Sequence, residues 1–128
     1  MHLLLPSKIH IKASPGKGLG VFAHKIIYKG EIIEECPVFT ISKPDTLMEF
    51  NDYHFNYPTG NDPTELVLPW GYGCLYNHSD TPNAYWMDHP KYKAFQYIAH
   101  RNIEVGEEIT TYYGDDNYWD RRKHIKKL

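Results

Sequence analysis

Residues 103–114, IEVGEEITTYYG, have the pattern of a turn running into a strand. Glu104-Val105-Gly106 signals a turn, and the EEITTYY that follows (107–113) is β-branched and aromatic, the composition of a strand. Working outward, YKAFQYIAH (92–100) alternates apolar and polar residues and stops before that turn. ELVLPW (65–70) predicts a strand ending at Pro69. EIIEECPVF (31–39) predicts another, stopped or bulged at Pro37 because proline cannot donate to a ladder. Nearer the start, Ile9 and Ile11 alternate with polar neighbours before the turn Ser14-Pro15-Gly16. Val21 to His24 predicts a further short strand before the turn Tyr28-Lys29-Gly30.

Two stretches depart from this pattern. In DTLMEFNDYHF (45–55), Leu47, Phe50 and His54 recur at helical spacing and Asp45 suits a cap, which predicts a short helix. The segment from Tyr118 onward also has helical character. Residues 71–83 are rich in Gly, Asn, Ser, Asp and Pro and read as loop. Many short strands with few short helices predict a mainly β fold rather than alternating βαβ units.

The chain has 128 residues, the size of one domain with a single core, so 1–128 is read as one unit. Its apolar fraction is 41%, and eleven Tyr add rings that carry a hydroxyl, which suits a pocket for a partly polar guest as well as a core. A formal charge of −2 argues against binding nucleic acid through bulk phosphate attraction, although RRKHIKKL (121–128) forms a basic tail. Two cysteines, Cys36 and Cys74, do not make a secreted disulfide framework. MHLLLPSK at the start lacks both a basic region and a long apolar run, so neither a signal peptide nor a membrane span is expected. A soluble intracellular protein is.

Several motifs compete for a chemical role. Gly18-Leu19-Gly20-Val21-Phe22-Ala23 has the spacing of a dinucleotide fingerprint, but neither a buried apolar strand before it nor a long helix after it is predicted. The remaining readings are a tight strand-to-strand turn or a turn whose bare backbone lets a ligand lie against it. Cys74, His78, His89 and His100 match no common zinc spacing, so no metal is expected. The paired acids Glu107-Glu108 and Asp115-Asp116 alternate faces on a strand and read as solvated turn edges. In CLYNHSDTPNAYW (74–86), Asn77 could fix the loop as an Asx turn or be buried for a ligand, since its amide both donates and accepts.

Taken in order, four pieces resemble the SET-domain lysine methyltransferases: GKGLGVFA (16–23), GEIIEEC (30–36), LYNHSDTPN (75–83) and IEVGEEITTYYG (103–114). The likeness spans the chain apart from about 40–70, where the family varies. It is strongest to the minimal SET enzymes of large DNA viruses. The cysteine cluster that binds zinc after the SET domain in many relatives is missing, and residues 115–128 supply a short aromatic and basic segment instead.

The resemblance implies short curved sheets, with the C-terminal strand tucked beneath the Asn-His loop in a pseudoknot. It also implies S-adenosylmethionine as methyl donor, S-adenosylhomocysteine as product, and a lysine substrate. That lysine is expected in a core-histone tail and otherwise in a non-histone protein; a catalytically inactive peptide-binding module is the alternative from another class. Lys17, Gly18, Leu19 and Gly20 would hold the methionine part of the donor, Asn77 and His78 its amino and adenine parts, and Trp119 would stack on the adenine. Tyr113 would contact the donor and align its methyl, while Tyr53 and Tyr118 would wall the lysine channel. Tyr112 should face away from Tyr113. No direct nucleic-acid or membrane contact is implied; a homodimer is compatible with the minimal relatives, and a histone-directed enzyme would work in a nucleus.

Overall fold

The computed structural model describes residues 3–42, 55–59 and 63–113. Among them the regular elements are all strands: β1 (Ile9–Ser14), β2 (Gly18–Ala23), β3 (Ile32–Ser42), β4 (Phe55–Tyr57), β5 (Glu65–Pro69), β6 (Asn77–His78), β7 (Ala84–Asp88), β8 (Ala94–Ala99) and β9 (Glu108–Thr111). They form a four-stranded sheet, ordered β1-β2-β9-β6, and a five-stranded one, ordered β4-β5-β3-β8-β7. The expected mainly β class and curved short sheets are what the molecule has.

The small sheet joins a local hairpin to two sequence-distant pairings. β1 and β2 form a hairpin in which Ile9 opposes Ala23 and Ser14 opposes Gly18. β9 lies against β2, with Val21 opposite Ile109 and Phe22 opposite Glu108. On its other side β9 runs parallel to β6, with Asn77 opposite Thr110 and His78 opposite Thr111. The strand near the C-terminus is thereby inserted between the N-terminal hairpin and the 77–83 loop.

Two sequence expectations need correction, and a third falls almost wholly outside the described residues. β3 is neither stopped nor bulged at Pro37. Its first half pairs with β8 as far as Pro37 opposite Ala94, and its second half pairs with β5 from Val38 opposite Pro69. Pro37 sits at this change of partner, where its missing N–H is not needed, and its carbonyl accepts from the Trp70 N–H at 2.8 Å. The register shifts lie elsewhere, between Ile32 and Glu34 and between Thr40 and Ser42. Of the helix expected over 45–55, residues 45–54 lie outside the described residues, and Phe55 opens β4, paired with Val67. Within the predicted loop, Asn77–His78 is a strand, and β7 after it was not foreseen either.

The core lies between the sheets. Val21, Ala23, Ile27, Ile103 and Ile109 from the hairpin side meet Cys36, Val67, Phe95 and Tyr97 from the large sheet, all buried. Each fully buried Val, Ile or Phe stabilises the fold by roughly 1.5–3 kcal/mol. An isolated bridge between Ile27 and Ile103 closes the end of this core next to the turn before β9.

Candidate active site

The hairpin turn comes first. The Lys17 N–H donates to the Ser14 carbonyl at 2.9 Å, and Gly18 then takes φ +79°, a left-handed conformation that glycine adopts without penalty. A Cβ on Gly18 would meet nothing within 4 Å, so the turn backbone faces open space. Leu19 beside it is 56% exposed. Gly20 is different: a Cβ there would lie 2.5 Å from Glu108 Oε2 and 3.0 Å from Asn77 Nδ2. Gly20 is therefore required for the close approach of two side chains.

Those two side chains weld the hairpin to the rest of the site. Asn77 Nδ2 donates to the Leu19 carbonyl at 3.1 Å and to Glu108 Oε2 at 2.7 Å. Ser14 Oγ donates to the other Glu108 oxygen at 2.7 Å. Lys17 Nζ donates to the His78 carbonyl at 3.1 Å. The amide of Asn77 thus reaches across the sheet instead of making a local Asx turn, and both its hydrogens are engaged. Among the described residues no donor reaches its Oδ1, which leaves an acceptor at the rim of the open hairpin turn.

Glu108 also departs from the reading of the acid pair as solvated. Glu107 does sit at the turn, accepting from Arg101 at 3.1 Å and from the Glu104 N–H at 2.9 Å. Glu108, half-buried like Glu107, instead joins Ser14 to Asn77. Asn83 is a second residue that sequence reasoning missed. Its Nδ2 donates to the Glu108 carbonyl at 2.8 Å and its Oδ1 accepts from the Thr110 N–H at 2.9 Å, so one buried side chain clamps β9.

His78 and Tyr113 meet on the far side of β6. The Tyr113 N–H donates to His78 Nδ1 at 2.9 Å, and His78 Nε2 lies 2.8 Å from Asp80 Oδ1. Since Nδ1 accepts, the ring proton must be on Nε2, which donates to Asp80. The imidazole is only 5% exposed, so its polar atoms hold Tyr113 and Asp80. The Tyr113 hydroxyl donates to the Tyr76 carbonyl. Tyr112 is exposed, yet its ring and that of Tyr113 both lie against the imidazole, at centroid distances of 5.2 and 5.4 Å.

Beneath Tyr113 lies a buried polar floor. The Tyr76 and Tyr97 rings stack at 4.6 Å with an 18° interplanar angle. The Tyr76 hydroxyl donates to Glu34 Oε1 at 2.6 Å, and the Tyr97 hydroxyl donates to the Gly73 carbonyl at 3.1 Å. Burial pushes the Glu34 carboxyl above its ordinary range, against hydrogen bonds from Tyr76, Tyr72 and Cys36 that act the other way. Burial and the Glu34 carboxyl likewise push the Tyr76 phenol up. The same burial raises the Cys74 thiol to about 11 and the Cys36 thiol further, so neither is a ready nucleophile.

Of the residues singled out in the sequence, Lys17, Gly18, Leu19, Gly20, Asn77, His78 and Tyr113 stand in one connected array. Tyr53, Tyr118 and Trp119 lie outside the described residues. Among the described residues no three His, Cys, Asp or Glu side chains stand together in a way that could hold a metal ion.

Comparison with known proteins defines the class. The SET-domain family model matches residues 18–114, and the chain belongs to the SET-domain family. A Schizosaccharomyces pombe relative named histone-lysine N-methyltransferase, H3 lysine-37 specific, is 29% identical over 122 residues, covering 91% of this chain and 80% of that protein. A Saccharomyces cerevisiae relative named histone-lysine N-methyltransferase, H3 lysine-36 specific, is 31% identical over 118 residues; the match takes in 80% of this chain but only 15% of that much longer protein. The crystal structure of a Plasmodium falciparum protein, described as a candidate histone methyltransferase, superposes with a TM-score of 0.74 at 36% identity, covering 89% of this chain and 99% of that one.

Proposed function

We propose that this chain is a protein-lysine N-methyltransferase that transfers a methyl group from S-adenosylmethionine to a lysine of a histone tail. The family and the named activities of its relatives support the reaction class. The observation that carries the reading within this molecule is the convergence of the glycine bend, Asn77 and Tyr113 on one end of the β1-β2-β9-β6 sheet.

The residues present fit the methyl donor. The open space over Gly18 admits a ligand against the main chain of 17–20, and the uncommitted Asn77 Oδ1 is an acceptor suited to an ammonium group. His78, its ring nitrogens engaged, would meet the adenine part through its main chain or ring edge. Trp119 is assigned to the adenine, and Tyr53 and Tyr118 to the walls of a lysine channel, by resemblance to the family. When bound, the donor supplies an electrophilic methyl and a positive sulfonium.

The chain's own task is to present a neutral amine in line with that methyl. A free lysine has a pKa of about 10.4, and aromatic walls beside a positive charge favour the neutral form. Proton loss to water then needs no dedicated carboxylate base. Tyr113, fixed at its N–H by His78 and at its hydroxyl by the Tyr76 carbonyl, places oxygen dipoles where positive charge must be held. Alignment of this kind supplies most of the acceleration in an in-line transfer.

A kinship with the minimal viral SET enzymes belongs to the same reading, supported by a sequence that holds only two cysteines. Action in a nucleus follows from a histone substrate. Incubating the protein with core histones and tritiated S-adenosylmethionine, followed by mass spectrometry of the tails, tests the proposal. Label on a histone lysine is expected; tight donor binding without transfer to any protein would identify an inactive binding module instead.

A further inference from the structure

The Tyr113 hydroxyl donates to a main-chain oxygen, that of Tyr76. The position of that carbonyl is set by what holds Tyr76, whose side chain points into the core and is almost completely buried. Two contacts hold it there. One face of its ring stacks on Tyr97, itself tied to the Gly73 carbonyl. Its hydroxyl donates to Glu34 Oε1 at 2.6 Å, across 42 residues of sequence.

Glu34 is built in for this contact. It is 1% exposed, on β3, the strand central to the large sheet. A Cβ on Gly71 would come within 2.9 Å of Glu34 Oε2, so glycine at 71 leaves room for the carboxyl. A buried carboxyl is retained against its desolvation only where its oxygens are bonded; here Oε2 takes the Tyr72 N–H at 3.4 Å and Oε1 takes the phenol of the residue whose carbonyl holds Tyr113. The mechanism proposed above uses neither Glu34 nor the Tyr76 phenol.

We propose that Glu34 and the Tyr76 hydroxyl form a positioning pair for Tyr113: the buried bond fixes the Tyr76 main chain, and thereby the place and direction of the Tyr113 hydroxyl. The proposal rests on the reading of Tyr113 as the aligning residue. Neither Glu34 nor the Tyr76 phenol touches substrate, so the pair acts on turnover and leaves donor affinity alone. The bond adds a polar link from β3 of the large sheet to the residue just before β6, beside the apolar core that the two sheets share.

The test compares four variants of the whole chain, using tritiated S-adenosylmethionine and core histones. Tyr76→Phe deletes one hydroxyl but strands a buried carboxyl, which lowers stability as well. Glu34→Leu combined with Tyr76→Phe replaces both partners by apolar groups, a change that can be nearly neutral for stability. The expected result is a turnover loss of about tenfold or more in both, as for other small misplacements of an aligning group, with donor affinity within about twofold of the parent. Glu34→Gln keeps an acceptor oxygen for the phenol and should keep at least about half of the parent turnover. Parent-like turnover in the folded double variant, or a loss in Glu34→Gln as large as in Tyr76→Phe, overturns the positioning pair. Tyr113→Phe is the control: if it turns over like the parent, the reading of Tyr113 itself has failed. If Tyr113→Phe is slow while the double variant is not, only the positioning pair has failed.

Discussion

The main-chain N–H of Tyr113 donates to Nδ1 of His78 at 2.9 Å, and this bond fixes both the histidine tautomer and the direction in which the chain leaves β9. It makes the imidazole a joint between the 77–83 loop and the strand that carries Tyr113.

Replacing His78 by Ala should therefore lower stability by about 1–3 kcal/mol, because a part-buried N–H loses its acceptor and Asp80 its donor. Urea unfolding of the two proteins checks this. An unchanged midpoint would mean that water or another group replaces the ring without loss.

The two glycines of the bend should respond differently to alanine. At Gly18 the new methyl enters open space but sits at positive φ, so a loss of about 1 kcal/mol in stability is expected. At Gly20 the Glu108 carboxylate must swing away, breaking its bonds to Asn77 and Ser14. Donor affinity measured by calorimetry should fall at least about tenfold further for Gly20→Ala than for Gly18→Ala, a difference of about 1.4 kcal/mol.

Glu108→Ala should reproduce the Gly20→Ala loss of donor affinity, since either change releases Asn77 from the hairpin. Glu107→Ala, at the solvated turn, should leave affinity within about twofold of the parent and change stability by no more than about 1 kcal/mol. Similar affinities for the two alanine variants would show that Glu108 is not a joint of the site.

The raised Glu34 carboxyl has a definite pH signature. Its folded-state pKa lies above the ordinary 4.5, so its stabilising contribution is fully present below that value and is lost as pH rises through the raised one. Glu31, Glu35 and Glu107 have the opposite sign: their lowered values add stability above the ordinary range, and that stability is lost as pH falls. The melting temperature of the parent relative to Glu34→Gln should consequently fall as pH rises from 4.5. A difference that grows with pH would contradict the assignment.

The sequence pattern was informative where alternation or a β-branched and aromatic composition runs over several residues. β1, β5, β8 and β9 fall where Ile9 and Ile11, ELVLPW, YKAFQYIAH and EEITTYY placed them. β6 was missed because two residues, Asn77 and His78, have no period, and their strand character comes only from β9 alongside. Pro37 misled because its effect depends on which side its partner strand lies. At the site, the glycine bend and Asn77 were legible because their residue types are restrictive. Glu108 and Asn83 were not, since their roles arise from long-range bonds that no local pattern records. The use of the Tyr76 hydroxyl was not legible either, since only the packing of Glu34 against it in the fold reveals it.

The central claim is that Tyr113 aligns the transfer without holding the donor. Single-turnover methylation of core histones by Tyr113→Phe, set beside its affinity for S-adenosylmethionine, tests this most directly. Transfer should slow by about 100-fold, as for loss of one oriented hydroxyl at a developing charge, with affinity nearly unchanged. Equal rates in the two proteins would contradict the account.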